Sequence, residues 1–269
     1  MAHTGPRFGG LMVCTFASVV MILPTPAIGD QNPSPSSAEA PSAPADFMFA
    51  RPRGAFGLRG NWIFASAGSD IYEYVTDLLT IERSSFNAPA IAGEISFNIN
   101  PRFDVSLGLE YSKQSIDSEY RDLVEQLPNG TTIPIVQNTS LKHSNFYVSA
   151  RFALLPRGRR ISQFAWIPSS FVPYVGAGAG ISTYDFEQDG DFVDVLRDDR
   201  IFTDSLRSHG SPFSYHVFGG TDIQIHKRMF MSLEGRYMWA EARLSRDFVA
   251  FDPMDLGGFR FGAGLHVVF

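Results

Sequence analysis

The 269-residue chain is short of thiols and of lysine: its single cysteine is Cys14, and it has 3 lysines against 24 phenylalanines. With Cys14 inside a segment expected to be removed, no thiol or disulfide is left to define a redox compartment. No apolar run beyond the N-terminus is long enough for a membrane-spanning helix, and mean hydropathy is −0.03. Positive charge is also lacking. The formal charge of −6 offers no electrostatic footprint for nucleic acid. A disulfide scaffold, a helical membrane protein and a nucleic-acid binder are thereby set aside.

What the chain has is alternation. The last eleven residues, Phe259 to Phe269, put Phe259, Phe261, Ala263, Leu265, Val267 and Phe269 on one face. Arg260, Gly262, Gly264, His266 and Val268 fall on the other. Period-2 alternation of this kind makes a strand with two unlike faces. The pattern recurs from Gly54 onward in segments near 56–64, 91–99, 103–111, 145–154, 174–182, 213–225 and 229–239. Eight strands of about ten residues each, tilted, match the thickness of a membrane's apolar band. The links support this: 69–90, 113–141, 185–211 and 243–256 are long, those after the second and sixth strands are tight, and only 156–170 breaks the alternation. A soluble barrel would turn its apolar face inward. Here the face opposite the large apolar residues carries Arg59, Glu94, Asp104, Glu110, Arg151, Asp222, Glu234, Arg236 and Arg260. The expected fold is therefore all-β, an eight-stranded antiparallel transmembrane β-barrel with long extracellular loops and a charged, side-chain-filled lumen.

Ahead of it, residues 1–29 read as a signal peptide: Arg7, an apolar core from Leu11 to Leu23, and small residues Ala27 and Gly29 before a cut at Asp30. Residues 30–53, rich in Pro, Ala and Ser as far as Asp46, are expected to be a disordered periplasmic leader. The barrel is expected over 54–269.

Three stretches carry a likeness to known proteins: Pro173-Tyr174-Val175-Gly176-Ala177-Gly178-Ala179-Gly180, Ser232-Leu233-Glu234-Gly235-Arg236-Tyr237, and the terminal GAGLHVVF. With these, residues 54–269 resemble the outer-membrane β-barrel domain family, the small barrels related to OmpA, OmpX and OmpW. The resemblance implies a bacterial outer-membrane location, a monomer, and contact with outer-membrane lipid and lipopolysaccharide. It also implies Phe269 as the signal read by the outer-membrane assembly machinery, with no cofactor. The function it implies is structural or surface-interacting, and not enzymatic. The alternatives are a small-solute or hydrophobic-compound channel of the OmpW kind, and a lipid A deacylase.

That last alternative has residues to test. Barrels that deacylate lipid A use a His-x-Ser pair and a Glu on the lipid-facing side; His209-Gly210-Ser211 has the spacing, and counting through the turn at Lys227 brings Glu241 near. Pro212 directly after the serine and the remote position of Glu241 depart from that pattern.

Other motifs have plainer readings. The glycines at 176, 178 and 180 are expected to make room in the lumen for Arg59, Arg236 and Arg260. Asp185-x-Glu187-x-Asp189-Gly190 opens like a calcium loop, but Leu196 stands where a bidentate Glu is required, which leaves a solvated acidic loop. His143, His216, His226 and His266 form no metal set and are expected to hydrogen-bond in the lumen. Ser69-Asp70 is expected to start a short loop helix. Arg157, Arg159 and Arg160 are expected to meet phospholipid head groups, and Trp62, Tyr111, Tyr215 and Trp239 to form an aromatic girdle.

Overall fold

The computed structural model describes residues 48–162, 165–194 and 200–269. The segment expected as a signal peptide and most of the expected leader lie outside the described residues.

Twelve strands are present among the described residues: β1 (Gly54–Ala65), β2 (Ala88–Asn98), β3 (Phe103–Gln126), β4 (Thr132–Ala153), β5 (Gly158–Ser162), β6 (Ala165–Pro168), β7 (Phe171–Asp194), β8 (Arg200–Gly210), β9 (Phe213–His226), β10 (Met229–Ala242), β11 (Met254–Asp255) and β12 (Gly258–Val268). Eight of them form an antiparallel ring in the order β1-β2-β3-β4-β7-β9-β10-β12. The ring closes where β1 meets β12, in register from Ala55 opposite Val268 to Ala65 opposite Gly258. Closure pairs the backbone of every wall strand on both sides, as a bilayer interior demands.

The turns at one end are tight. In the first, the Asn100 side chain accepts from the backbone N–H groups of Arg102 and Phe103, both at 2.9 Å, a local bond that reverses the chain. The other end is tall. The links 113–141 and 185–211, expected as loops, are β-hairpins: β3 and β4 stay paired from Phe103–Phe152 up to Gln126–Thr132, and β7 continues to Asp194 against β8. Above the apolar wall the parity runs the other way in β7, with Tyr184, Phe186 and Phe192 buried inside and Asp185, Glu187 and Asp191 on the opposite face, while β3 and β4 carry mostly polar residues on both faces. At the tip of the β3–β4 hairpin Gly130 supplies a φ of 83°, open to glycine without strain.

Outward-pointing side chains are apolar and exposed along the whole lower wall, among them Phe56, Leu58, Ile91, Leu109, Phe146, Val175, Phe213 (72% exposed), Phe261 and Leu265. Inward-pointing ones are buried and polar: Arg59, Asp104, Glu110, Arg151, Arg236 and Arg260 are each 5% exposed or less. Trp62, Tyr111, Tyr215 and Trp239 all point outward, with Tyr215 directly opposite Trp239.

Candidate functional site

The lumen is filled from bottom to top by a charge network. At the turn end, Arg151 donates to Asp104 at 3.0 Å and to Asp222 at 3.5 Å. Arg157 enters the same cluster from the 156–170 link and pairs with both acids. This corrects the expectation for Arg157: it turns inward instead of meeting lipid head groups, because two buried aspartates above one arginine leave a carboxylate to neutralise. Arg159 and Arg160, on β5, stay exposed.

In the middle layer Glu234 accepts from Arg59 at 2.8 Å, from Arg236 at 2.9 Å and from the Tyr174 hydroxyl at 3.1 Å. Glu94 lies 4.0 Å from Arg236. The upper layer joins Arg260 to Glu110 at 2.8 Å, and Asn61 donates to the second oxygen of Glu110 at 2.6 Å. With Arg157 included, five arginines (59, 151, 157, 236, 260) face five carboxylates (94, 104, 110, 222, 234). The interior is charge-neutral, which suits ions held away from water only when each has a partner.

Aromatic rings occupy the space between layers. The Arg236 guanidinium lies 4.4 Å from the ring centre of Tyr147 and 4.9 Å from that of Phe218, and Arg151 lies 4.8 Å from Tyr174. These rings, not the arginines, are what the glycines accommodate. A Cβ on Gly176 would stand 2.3 Å from Phe218, one on Gly178 would meet His216 at 2.5 Å, and one on Gly108 would meet Tyr147 at 2.2 Å. A ring needs a flat neighbour, whereas a flexible arginine can bend round a Cβ. Each lumen histidine bonds a serine on the next strand or the next but one: His143–Ser182 at 2.6 Å, His216–Ser149 at 2.8 Å and His266–Ser232 at 2.9 Å. Among the described residues no cluster of His, Cys, Asp and Glu could hold a metal ion.

Above the network the mouth is sealed by an apolar lid that sequence reasoning missed. Helix α1 (Asp70–Leu78) starts at Ser69 as expected and buries Ile71, Tyr72 and Val75. Ser69 does not cap the helix; its hydroxyl accepts from the backbone of Asp255 at 3.1 Å, and Asp70 accepts from Asp252 at 3.0 Å, so the pair ties α1 to the 243–256 link. Leu244, Phe248, Met254 and Leu256 of that link pack with Ile81, Phe86 and Phe186 into one buried cluster reaching down to Met238. The Tyr72 hydroxyl donates to the carbonyl of Asp255 at 3.0 Å, and burial pushes its pKa up. The available signal was the spacing of Ile71, Tyr72 and Val75, one helical face. A cavity of about 30 Å³ separates lid from network, room for little more than a water.

At the opposite end, residues 48–53, the last of the expected leader, lie against the ring. Met48 exchanges backbone hydrogen bonds with Trp166 at 2.8 and 2.9 Å, and Arg53 donates to the carbonyl of Phe269 at 2.7 Å. Phe269 thus sits at the β1–β12 seam, half-exposed.

A closed ring, apolar outside and ion-paired inside, can be stable only in lipid. The chain is a transmembrane β-barrel of the outer-membrane type. Both ends of the ring's chain and its tight turns lie on one side, as expected for the periplasmic face of such a barrel. No protein-family model matches the sequence, and no curated protein does. Among solved structures, the barrel is similar to the outer membrane protein OprG from Pseudomonas aeruginosa (10% identity, 82% of this chain and 99% of that one, TM-score 0.48). It is also similar to Neisserial surface protein A (13%, 80% and 99%, TM-score 0.43) and to the E. coli outer membrane protein W (14%, 82% and 100%, TM-score 0.35). The assignment stands on the closed register and the apolar outer wall.

The three candidate catalytic residues lie on the outer face. His209 and Ser211 keep the outward parity of Phe213, and Glu241 is exposed two residues beyond Trp239. Ser211 and Glu241 line one cleft, but among the described residues no hydrogen bond joins the side chains of His209, Ser211 and Glu241. The backbone of His209 is taken by Ser245, which accepts from its N–H at 3.3 Å and donates to its carbonyl at 3.1 Å. Asp185, Glu187, Asp189 and Asp191 lie on the outer face of the β7–β8 hairpin, with Asp185 3.7 Å from Lys142, Glu187 paired to Arg207 and Asp191 accepting from Thr203.

Proposed function

We propose that this barrel is a non-conducting, non-enzymatic outer-membrane protein that contributes to envelope structure and presents its tall hairpins at the cell surface. The observation that carries this reading is the doubly filled lumen: a neutral network of five arginines and five carboxylates beneath a buried apolar lid. Eight strands enclose just enough space for side chains to fill, and a conducting pore needs a wet path with room for an ion. Surface presentation is supported by the height of the β3–β4 and β7–β8 hairpins, which run well past the apolar wall. The protein meets lipid and lipopolysaccharide on its outer wall, acts as a monomer, and offers Phe269 to the assembly machinery that inserts it.

The deciding experiment is conductance of the refolded protein in planar bilayers. No step of porin size is expected. Sustained steps of that size would replace this reading with the channel. Lipid A from overexpressing cells should keep its acyl chains by mass spectrometry, and loss of a chain would point instead to catalysis by His209, Ser211 and Glu241.

A further inference from the structure

The two mouths of the barrel are closed by unlike means. The outer mouth carries the apolar lid. The mouth at the turn end is closed by residues 48–52 and the β5–β6 hairpin, which meet where Met48 bonds Trp166. These leader residues are held at a second point. Asn98 donates its side-chain N–H to the carbonyl of Pro52 at 3.0 Å and its backbone N–H to that of Arg53 at 2.8 Å. Behind the two anchors lies a cavity of about 60 Å³, walled on its apolar side by Met48, Pro52, Trp166 and Phe230. A single water needs about 10–15 Å³, so the space suits an ion of a few heavy atoms.

The polar lining is cationic. Arg51 comes from the leader, Arg157 from the 156–170 link and Arg228 from the β9–β10 turn. Arg51 and Arg228 make no ion pair among the described residues. Nη2 of Arg51 is buried without a hydrogen-bond partner, and so is Nε of Arg157, whose other two nitrogens face the acids. A buried donor left unpaired is costly, and more so on a cation. Asp222 is the one carboxylate in this lining among the described residues. Arg151 and Arg157 both hold its Oδ2, and its buried Oδ1 has no partner. An occupant must therefore accept from arginines on several sides and also donate one hydrogen bond to a carboxylate.

We infer that this cavity binds one free phosphate ion, its oxygens accepting from Arg51, Arg157 and Arg228 and its hydroxyl donating to Oδ1 of Asp222. Guanidinium forks match phosphate oxygens. Three of them converge from separate elements, which suits a tetrahedral ion better than a planar carboxylate. Asp222 supplies selectivity. Sulfate has the same shape but carries no proton at neutral pH, so one of its oxygens would confront the carboxylate. The bound ion joins the leader, the hairpin link and the β9–β10 turn, a role that goes beyond the structural reading proposed above.

Fluorescence tests it, because Trp166 lines the cavity. A Trp62→Phe/Trp239→Phe variant keeps Trp166 as its only tryptophan. It is refolded into dodecyl maltoside micelles, its folded form is verified by gel shift, and sodium phosphate is titrated at neutral pH against sodium chloride at constant ionic strength. A saturable change is expected. Broadening of the phosphorus resonance of phosphate by the wild-type protein reads the same affinity without a reporter. Sulfate should bind about tenfold more weakly, the worth of one hydrogen bond to a charged group. Dimethyl phosphate, which lacks the proton and stands for a lipid head group, should bind more weakly still. Arg51→Gln and Arg228→Gln should each weaken phosphate by about tenfold, whereas Arg159→Gln, exposed and outside the cavity, should not. Absence of saturable binding by both readouts, equal affinity for sulfate or dimethyl phosphate, or unchanged affinity in Arg51→Gln would overturn the inference.

Discussion

Arg260 donates to Glu110 at 2.8 Å across the barrel, from positions 150 residues apart in the chain. Glu110 comes from the third strand of the ring and Arg260 from the last, so the bond exists only once the ring has closed. Both are almost fully buried. Such a pair is a lock on the closed state, and its energetics follow from burial.

Removing one member leaves the other charged and dry. Arg260→Met should cost about 3–5 kcal/mol, the usual penalty for breaking a buried pair. Glu110→Gln with Arg260→Met should recover much of that loss, since neither charge then remains. Urea unfolding in detergent micelles, followed by the gel shift between folded and boiled forms, measures it. Equal stability of wild type and Arg260→Met would show that the pair is water-exposed in solution.

Arg157→Ala should destabilise the turn end. Two aspartates, Asp104 and Asp222, would then share the single arginine Arg151. The loss should be larger than for Arg159→Ala, because Arg159 is exposed and surface charges contribute about 0–1 kcal/mol. A matched pair of melts decides the order.

Gly108→Val should impair folding more than Gly60→Val. The added atoms at 108 strike the Tyr147 ring, where even a Cβ would lie 2.2 Å away, whereas at Gly60 nothing lies within 4 Å. Overpacking of this kind costs about 1–3 kcal/mol. Refolding yield into micelles is the readout.

The lid should loosen in alkali. Burial raises the Tyr72 pKa, so the folded lid favours the neutral phenol. Its contribution is fully present below the unfolded tyrosine value of about 10 and is lost as pH rises above it. Proteolysis within 69–87 should therefore accelerate above about pH 10, and Tyr72→Phe should flatten that rise. Conductance should stay absent, because the ionic layers beneath the lid still fill the lumen.

Much of this architecture was legible in the chain. The alternation through FRFGAGLHVVF and its seven counterparts defined two faces per strand, and charges confined to one face identified it as the interior. That inference works because a strand's side chains alternate strictly, so composition by parity is composition by face. The hairpin extensions escaped it, since above the wall the apolar face changes sides: in β7 Tyr184 and Phe186 are buried inside while Asp185 and Glu187 lie on the outer face. Arg157 escaped it for another reason: it lies in a link, where no parity applies, and only the position of Asp104 and Asp222 draws it inward.

The sequence by itself determined a membrane barrel with a charged lumen, because lipid outside and ion pairs inside are conditions each strand meets locally. Which carboxylate meets which arginine was decided by tertiary structure alone. Glu110, which parity allows to face any inward arginine, takes Arg260 while Arg236 takes Glu234. The lid and the cleft beside Ser211 were decided in the same way. Ile71 and Phe248, or Ser211 and Arg243, share a site only because closing the ring brings distant links over one mouth and distant strand ends to one gap.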